Sequence, residues 1–434
     1  MKRLFPTPIF YLLMVLAIVG GCSKKEDAKE GDRKGAVQTI VFKHFKPPGE
    51  PRFFLDLIER FERENPNIKV KDEILPASTD EQHQYYVINL EGRAKEFDVF
   101  ALDVIWVQEF IRAGWLLDLT PYIGAQGLRG MLPGPVSAVT FKGKIYAIPW
   151  FMDAGLLYYR RDLLKKYNLT PPQTFAELIN ITRTVLQAER DPGLLGFIFQ
   201  GKQYEGLICS IMEFIWGNGG DVISADGQVV IDSQEAGDAL AFVRDLIYKH
   251  KLVPELVTTA DEEITRHIFG AGRAVFMRNW PYAWNLFQRA DSPVKGKVGI
   301  TLMPHFQGKE SAATLGGWQL GINPYSRNVD AAVTFVKFMT RYDSQRHLAL
   351  TMGLKPTLVK LYQDPDLVAS QPFITELLPV MLRARPRPVT PFYMMISQIL
   401  QAEFSAVISG IRPPNKALAS ARKQIERILE LERP

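Results

Sequence analysis

Four of the chain's seven tryptophans, Trp150, Trp216, Trp280 and Trp318, stand beside turn-forming or loop residues. Trp280 lies between Arg278-Asn279 and Pro281, a polar setting that reads as an exposed platform rather than core. Trp318 follows Gly316-Gly317, and glycines let backbone approach a ligand closely. Three carboxylates hold comparable positions. Asp103 ends the apolar run Asp98-Val99-Phe100-Ala101-Leu102, where it either caps the next helix or accepts hydrogen bonds from a ligand. Asp153, after Trp150-Phe151-Met152, is either a ligand group or a turn aspartate bonding its own backbone. Glu50 follows Pro47-Pro48-Gly49; it either reads ligand hydroxyls or favours the N-terminus of the helix that comes next. Charged acceptors form the stronger hydrogen bonds and flat rings offer stacking faces, so this chemistry is that of binding.

Catalytic signatures are missing from the sequence. It holds no Gly-x-Ser-x-Gly elbow, no His-Glu-x-x-His and no phosphate loop. Its six histidines, at positions 44, 83, 250, 267, 305 and 347, have no metal-ligand spacing, and no metal or cofactor is expected. Asp103 and Glu50 are the one pair that could in principle serve as a glycosidase acid and nucleophile, given the right separation. Two cysteines exclude zinc fingers and disulfide frameworks. Cys209, in the apolar run Gly206-Leu207-Ile208-Cys209-Ser210-Ile211, reads as a buried, inert thiol. The formal charge of +5 is spread over well-mixed signs, which leaves no nucleic-acid footprint.

The elements that must position these groups follow from periodicity. Gln38 to Phe45 is a β-branched and aromatic run, a strand. Arg52 to Glu64 puts Phe53, Leu57, Ile58 and Phe61 on one helical face, and Asn65-Pro66-Asn67 stops it. Ile68 to Leu75 alternates like a strand, a helix runs from about Asp80 to Ala94, and Asp98 to Leu102 is a short apolar strand. Strand–helix–strand–helix–strand predicts a parallel sheet, and in such sheets ligands sit beyond the carboxyl ends of the strands. Phe45 to Glu50, Pro76 to Thr79, and Asp103 lie at those ends. Further strands are predicted at Lys144–Pro149, behind a Lys142-Gly143 turn, and at 155–159, 274–277 and 298–302. Helices are predicted at 161–167, 174–188, 209–216, 233–249, 261–270, 331–338, 344–352 and 415 to about 431. A chain of 434 residues with 47% hydrophobic and 23% charged residues is an ordinary globular composition and suggests two domains or more.

The N-terminus reads as a secretion signal. Lys2 and Arg3 precede an uncharged apolar run, Ile9 to Val19, that spans about 16 Å as a helix, too short for a hydrocarbon core of about 30 Å. Val19-Gly20-Gly21-Cys22 then resembles the lipobox of bacterial lipoproteins, by which Cys22 becomes the lipid-bearing first residue of the mature chain; the alternative is an ordinary signal peptide with an incidental cysteine. The polar stretch from Ser23 to Ala36 cannot build a core and is expected to be a disordered tether, about 50 Å at full extension and nearer 20 Å as a coil.

Six local strings carry a wider resemblance: Asp98 to Trp106, Ala113 to Leu119, Tyr146 to Trp150, Gly155 to Leu164, Gly272 to Trp280 and Leu315-Gly316-Gly317-Trp318. In this order and spacing the chain resembles the bacterial extracellular solute-binding proteins for sugars, and among them the trehalose/maltose-binding group. The resemblance implies a periplasmic-binding-protein-like fold of type II: two α/β lobes joined by hinge strands, a ligand cleft between them, and hinge closure that buries the ligand. It places the crossings near Pro149 to Asp153, Trp284 to Lys295 and Tyr342 to Leu354. The expected division is residues 1–21 as signal peptide, 22–36 as tether, 37–149 with about 290–342 as one lobe, and 150–289 with about 343–434 as the other. It further implies a monomeric lipoprotein outside the cytoplasm that delivers a di- or oligosaccharide to the transmembrane subunits of an ABC permease. By resemblance Gly316 offers a backbone contact, Trp318 a stacking face and Arg387 a ligand-gripping guanidinium, with Arg385 as the competing assignment. Ser78 and Thr79 match a polar loop loosely. Phe151 stands where the trehalose/maltose group has a tyrosine; it can stack but has no hydroxyl to offer. The competing functions are a glycoside-acting enzyme, a binding lipoprotein for a polyamine or other non-sugar solute, and an adhesin or scaffold.

Replacing Cys22 by alanine should move the protein from the membrane fraction to the soluble fraction. Undiminished membrane association would sink the lipobox assignment.

Overall fold

The computed structural model describes residues 37–124 and 126–430. The signal, tether and lipidation assignments on residues 1–36, Cys22 among them, lie outside the described residues. Among those residues, no helix is long and apolar enough to cross a membrane.

The expected strand–helix alternation opens the fold. Strand β1 (Gln38–His44) pairs in parallel with β2 (Ile68–Ile74) and β3 (Val99–Asp103). Helix Pro51–Glu64 connects the first pair; it starts at Pro51, whose ring suits a first helical position, and buries Phe54, Leu57, Ile58 and Phe61. Helix Thr79–Glu91 leads to β3 and is capped by Ser78, whose hydroxyl accepts the Glu81 N–H. β2 forms an edge and alternates exposed lysines with half-buried residues, whereas β3 is central and buried throughout.

The chain then turns through a small hairpin, β4 (Thr140–Phe141) and β5 (Lys144–Ile145), whose Lys142-Gly143 turn has positive φ at both residues (49° and 76°), as a type I′ connection demands. The strand read from Lys144 to Pro149 is therefore two strands. The second, β6 (Ala147–Ala154), carries the string Trp150-Phe151-Met152-Asp153 inside the sheet. It pairs antiparallel with β11 (Leu315–Ile322), which also borders β3. Trp318 opposes Phe151 and Gln319 opposes Pro149, so Trp150 is the extra residue of a bulge. Trp150 is fully buried, not at a loop surface. With β12 (Lys355–Pro356) on its outer edge, the first sheet runs β12-β6-β11-β3-β1-β2.

The second sheet runs β10-β7-β9-β8, from β7 (Leu156–Arg160), β8 (Leu195–Ile198), β9 (Ala274–Asn279) and β10 (Val298–Thr301). Each sheet has its own hydrophobic core. The second core is threaded by helix Glu205–Gly217, all of whose residues are buried. Long helices at Phe175–Glu189, Gln234–Tyr248, Tyr393–Ile408 and Pro414–Glu430 pack around it. These two layered units are the two lobes.

Strand pairing moves the lobe limits. β10 pairs with β7, so the segment from 290 to 301 sits with the second lobe, not the first. The return to the first sheet falls between Thr301 and Leu315 rather than near Trp284 to Lys295. β12 pairs with β6, so the last crossing follows Pro356, and residues 343–356 belong with the first lobe. The first crossing is Gly155, between β6 and β7, two residues past the expected string.

At Gly155 the reason for glycine is steric: a Cβ there would fall 1.8 Å from a carboxylate oxygen of Glu213. Glu213 and Arg278 form a fully buried ion pair, with Nε–H donating to Oε2 at 2.9 Å and Nη2–H to Oε1 at 2.7 Å. Glu213 Oε1 also accepts the Thr314 N–H at 3.0 Å, and the Gly155 N–H donates to the Thr314 carbonyl at 3.3 Å. One ion pair thus holds two of the crossings together. Glu213→Gln leaves Arg278 buried without its paired carboxylate and should cost about 3–5 kcal/mol, read by urea denaturation. A loss under about 1 kcal/mol would show that the crossings are held by something else.

Candidate functional site

A cleft of about 1230 Å³ opens between the lobes, at the carboxyl ends of the parallel strands of the first sheet. Sheet register assembles one wall. Trp318 on β11 lies opposite Asp103 on β3 and Phe151 on β6, and Gly316 lies opposite Asp153, so five of the expected residues are cross-strand neighbours along one central strand. Phe45, at the end of β1, closes the aromatic surface with its ring 4.5 Å from Trp318. Gly317 has φ +124°, and a Cβ on it would fall 2.6 Å from the Phe151 carbonyl; only glycine carries the strand through this point.

Trp280 forms the opposite wall. It stands directly after β9, half-buried, with the Arg278 guanidinium 4.0 Å from its ring centroid. Its backbone N–H donates to Asn279 Oδ1 at 2.8 Å, and its carbonyl accepts from the Tyr158 hydroxyl at 2.7 Å. A Cβ on Gly316 would come within 3.2 Å of its ring, so that glycine is what lets the two walls meet.

The floor is charged. Arg387 is buried, donates to Glu205 Oε1 at 2.5 Å and to the Leu315 carbonyl at 3.1 Å, and lies 3.8 Å from Asp103. Glu205 is otherwise saturated: Tyr393 donates to it at 2.5 Å, and Ser397 donates to its other oxygen. Asp103 accepts one backbone N–H, from Ile105 at 3.2 Å. Burial pushes its carboxyl up to about 6, against the pull of Arg387. Asp153 has a buried oxygen with no hydrogen-bond partner, and burial pushes it up to about 7, with Lys355 pulling the other way. Burial lowers Lys355 to about 7 in turn; its ammonium donates to the Gly353 carbonyl at 2.9 Å and to Gln371 at 2.6 Å.

Of the residues singled out in the sequence, Ser78, Asp103, Phe151, Asp153, Trp280, Gly316, Trp318 and Arg387 line this one cleft. Glu50 does not line it. Its carboxylate pairs with Arg289 of the second lobe at 2.8 Å, both groups half exposed at the cleft mouth, and it makes no cap hydrogen bond to its own helix. Ser78 both caps a helix and faces the cleft. Arg385 is elsewhere: it pairs with Asp221 at 2.7 Å and covers the ring of Trp216, so neither of those enters the site. Cys209 is buried, and burial pushes its thiol up to about 12, as an inert thiol requires. Sequence reading put Phe45 at a ligand-facing strand end without singling it out, and it missed Tyr204, Glu205, Glu262, Tyr282 and the buried Lys355. One signal was available: Glu205 and Glu213 stand eight residues apart in an otherwise apolar helix, and two buried carboxylates on one helical face require cationic partners. Among the described residues no cluster suits a metal ion.

A cleft between two α/β layers, walled by tryptophans from both and floored by carboxylates and a guanidinium, defines a two-lobed ligand-capture protein. The chain belongs to the bacterial extracellular solute-binding protein family, whose sequence profile matches residues 47–346. It is 37% identical over 361 residues to a probable ABC transporter-binding protein of Deinococcus radiodurans, covering 82% of this chain and 85% of the relative. It is 27% identical over 335 residues to a maltotriose-binding protein of Pyrococcus abyssi, covering 76% of this chain and 68% of the relative. Among solved structures, maltose-bound MalE3 of T. maritima superposes with a TM-score of 0.87 at 43% identity, covering 90% of this chain and all of that one.

Because burial holds Asp103 above the ordinary aspartate value, the folded protein binds this proton more firmly than the unfolded chain. Its contribution favours folding at low pH and is lost as pH rises through about 6. Asp103→Asn removes that loss. Relative to wild type, the unliganded variant should gain on the order of 2–3 kcal/mol between about pH 4 and pH 7, read by denaturation at each pH. Parallel profiles would show that the carboxylate is ionised throughout.

Proposed function

We propose that this protein is the extracytoplasmic binding component of an ABC importer and holds a di- or oligosaccharide of the maltose or trehalose kind by closure of its two lobes. The observation that carries this reading is the pairing of Trp280 on one lobe with Trp318 and Phe151 on the other, across a floor that keeps Asp103 and Asp153 incompletely satisfied. A sugar presents C–H patches to flat rings and hydroxyls to carboxylates, and a planar guanidinium such as Arg387 grips two oxygens at once. The sugars named for the Pyrococcus and Thermotoga relatives agree with that chemistry. Ser78 and Gly316 extend the ligand set along the cleft lining, and Glu50, a candidate by its place in the sequence, acts at the mouth beside Arg289. Phe151, without a hydroxyl, reads its part of the sugar by stacking alone. Cys22 of the lipobox-like string anchors the monomer to the membrane beside its permease, and the ligand is returned unchanged: Glu50, committed to Arg289 at the cleft mouth, is poorly placed to serve Asp103 as a second glycosidase carboxylate.

A thermal-shift screen of the lipid-free protein against maltose, trehalose, sucrose, longer glucans, polyamines and amino acids tests the reading. A hundredfold excess over the dissociation constant should add about 2.7 kcal/mol of stability with one or two sugars, which are then recovered intact. A shift with polyamines or amino acids alone overturns the sugar, and hydrolysis products overturn the binding role.

A further inference from the structure

The cleft wall formed by Trp280 raises a question of mechanics. A stacking ring is useful only if its plane is fixed before the ligand arrives, and an indole on a single Cα–Cβ bond has several rotamers to choose from. The Arg278 guanidinium covers one face, and the ring edge rests on Gly316. Neither contact is directional enough to set the rotation. The directional contact is the indole N–H, which donates to Glu262 Oε1 at 3.2 Å. The other oxygen of the same carboxylate accepts from the Tyr204 hydroxyl at 2.5 Å. Tyr204 lines the cleft from the segment that enters the buried helix Glu205–Gly217.

We propose that Glu262 is a positioning residue that locks Trp280 and Tyr204 into one rigid shelf on the second lobe, and that ligand affinity depends on it through these rings. Its placement is secured independently of the ligand. Glu262 is the first residue of helix Glu262–Gly270, Asp261 caps that helix, and the Glu262 carbonyl accepts from the Asn279 side chain at 3.1 Å, one residue before Trp280. With both oxygens engaged by ring donors, the carboxylate fixes the angle between two platforms rather than binding the solute itself. The consequence for affinity rests on the saccharide reading above; the locking of the ring does not.

Two readouts separate those claims. In the unliganded protein the Trp280 indole N–H resonance, assigned by its loss in Trp280→Phe, should move upfield and exchange faster with solvent in Glu262→Ala, while Glu262→Gln, which keeps an acceptor, stays close to wild type. An unmoved resonance overturns the locking, whatever the ligand. For affinity, titration with maltose and trehalose should show a loss of about tenfold in Glu262→Ala, of less than about threefold in Glu262→Gln, and of less than about twofold when Glu262→Ala is added to a Trp280→Phe/Tyr204→Phe background. An undiminished loss in that background overturns action through the two rings. A moved resonance in a protein that binds neither these two sugars nor sucrose or longer glucans leaves the locking standing and removes the saccharide reading.

Discussion

The molecule is organised around one buried ion pair. Glu213 and Arg278 are both withdrawn from water, and an unpaired charge at either position would be prohibitive. Their bidentate contact forces helix Glu205–Gly217 and strand β9 into fixed register. The pair then reaches outward in three directions. Glu213 takes the Thr314 N–H, which places the second crossing. Its carboxylate occupies the space where a Cβ on residue 155 would sit, which makes the first crossing glycine. Arg278 lies under Trp280, and Gln200 steadies it with a contact at 3.1 Å. Hinge and stacking platform therefore share one anchor, and neither can be displaced without disturbing the other.

The two walls of the cleft are built on different principles. On the first lobe the site residues are cross-strand neighbours, so the sheet itself sets their spacing: Asp103, Trp318 and Phe151 stand in a row because β3, β11 and β6 are adjacent. A bulge at Trp150 and a positive φ at Gly317 adjust which way that row faces. On the second lobe the ring is held by side chains instead, with a cation behind it and a carboxylate at its nitrogen. A pleated wall meets a clamped wall, and Gly316 is the point of contact.

Much of this was legible in the residues. The βαβαβ opening announces itself through period-2 and period-3.6 patterns and through stops such as Asn65-Pro66-Asn67, and from it the ligand-facing ends of β1 to β3 follow directly. The tryptophans beside glycine and proline pointed to the cleft in two of four cases. Trp150 and Trp216 were misread because a neighbouring proline or glycine marks a bulge or a helix end as readily as a surface. β11 was not recognised as a strand, since Gly316-Gly317 argues locally against one, and only its central position between β3 and β6 overrides that preference. Helices Ile374–Arg383 and Tyr393–Ile408 were hidden by Pro379 and the proline-rich stretch between them. The lobe limits after residue 290 depend on which sheet β10 and β12 join, a choice made by tertiary pairing and not by any local signal. The Arg387–Glu205 bond joins residues 182 apart and leaves no trace in spacing.

The buried carboxylates divide into two kinds, and the division bears on how a cleft can be both stable and receptive. Glu205 and Glu213 sit on a wholly buried helix, and arginine, hydroxyl and backbone donors saturate their oxygens. Asp103 and Asp153 sit on strands at the cleft, where one accepts a single backbone bond and the other keeps an oxygen unpartnered. Burial without full compensation is why both are pushed above the ordinary aspartate range. Protein groups alone therefore leave an electrostatic cost at the two places where hydroxyl donors would relieve it. The saturated pair beside them keeps that cost from distorting the frame. Receptivity resides in the strand carboxylates and rigidity in the helix carboxylates, and Arg387, bonded to Glu205 and 3.8 Å from Asp103, is the side chain through which the two meet.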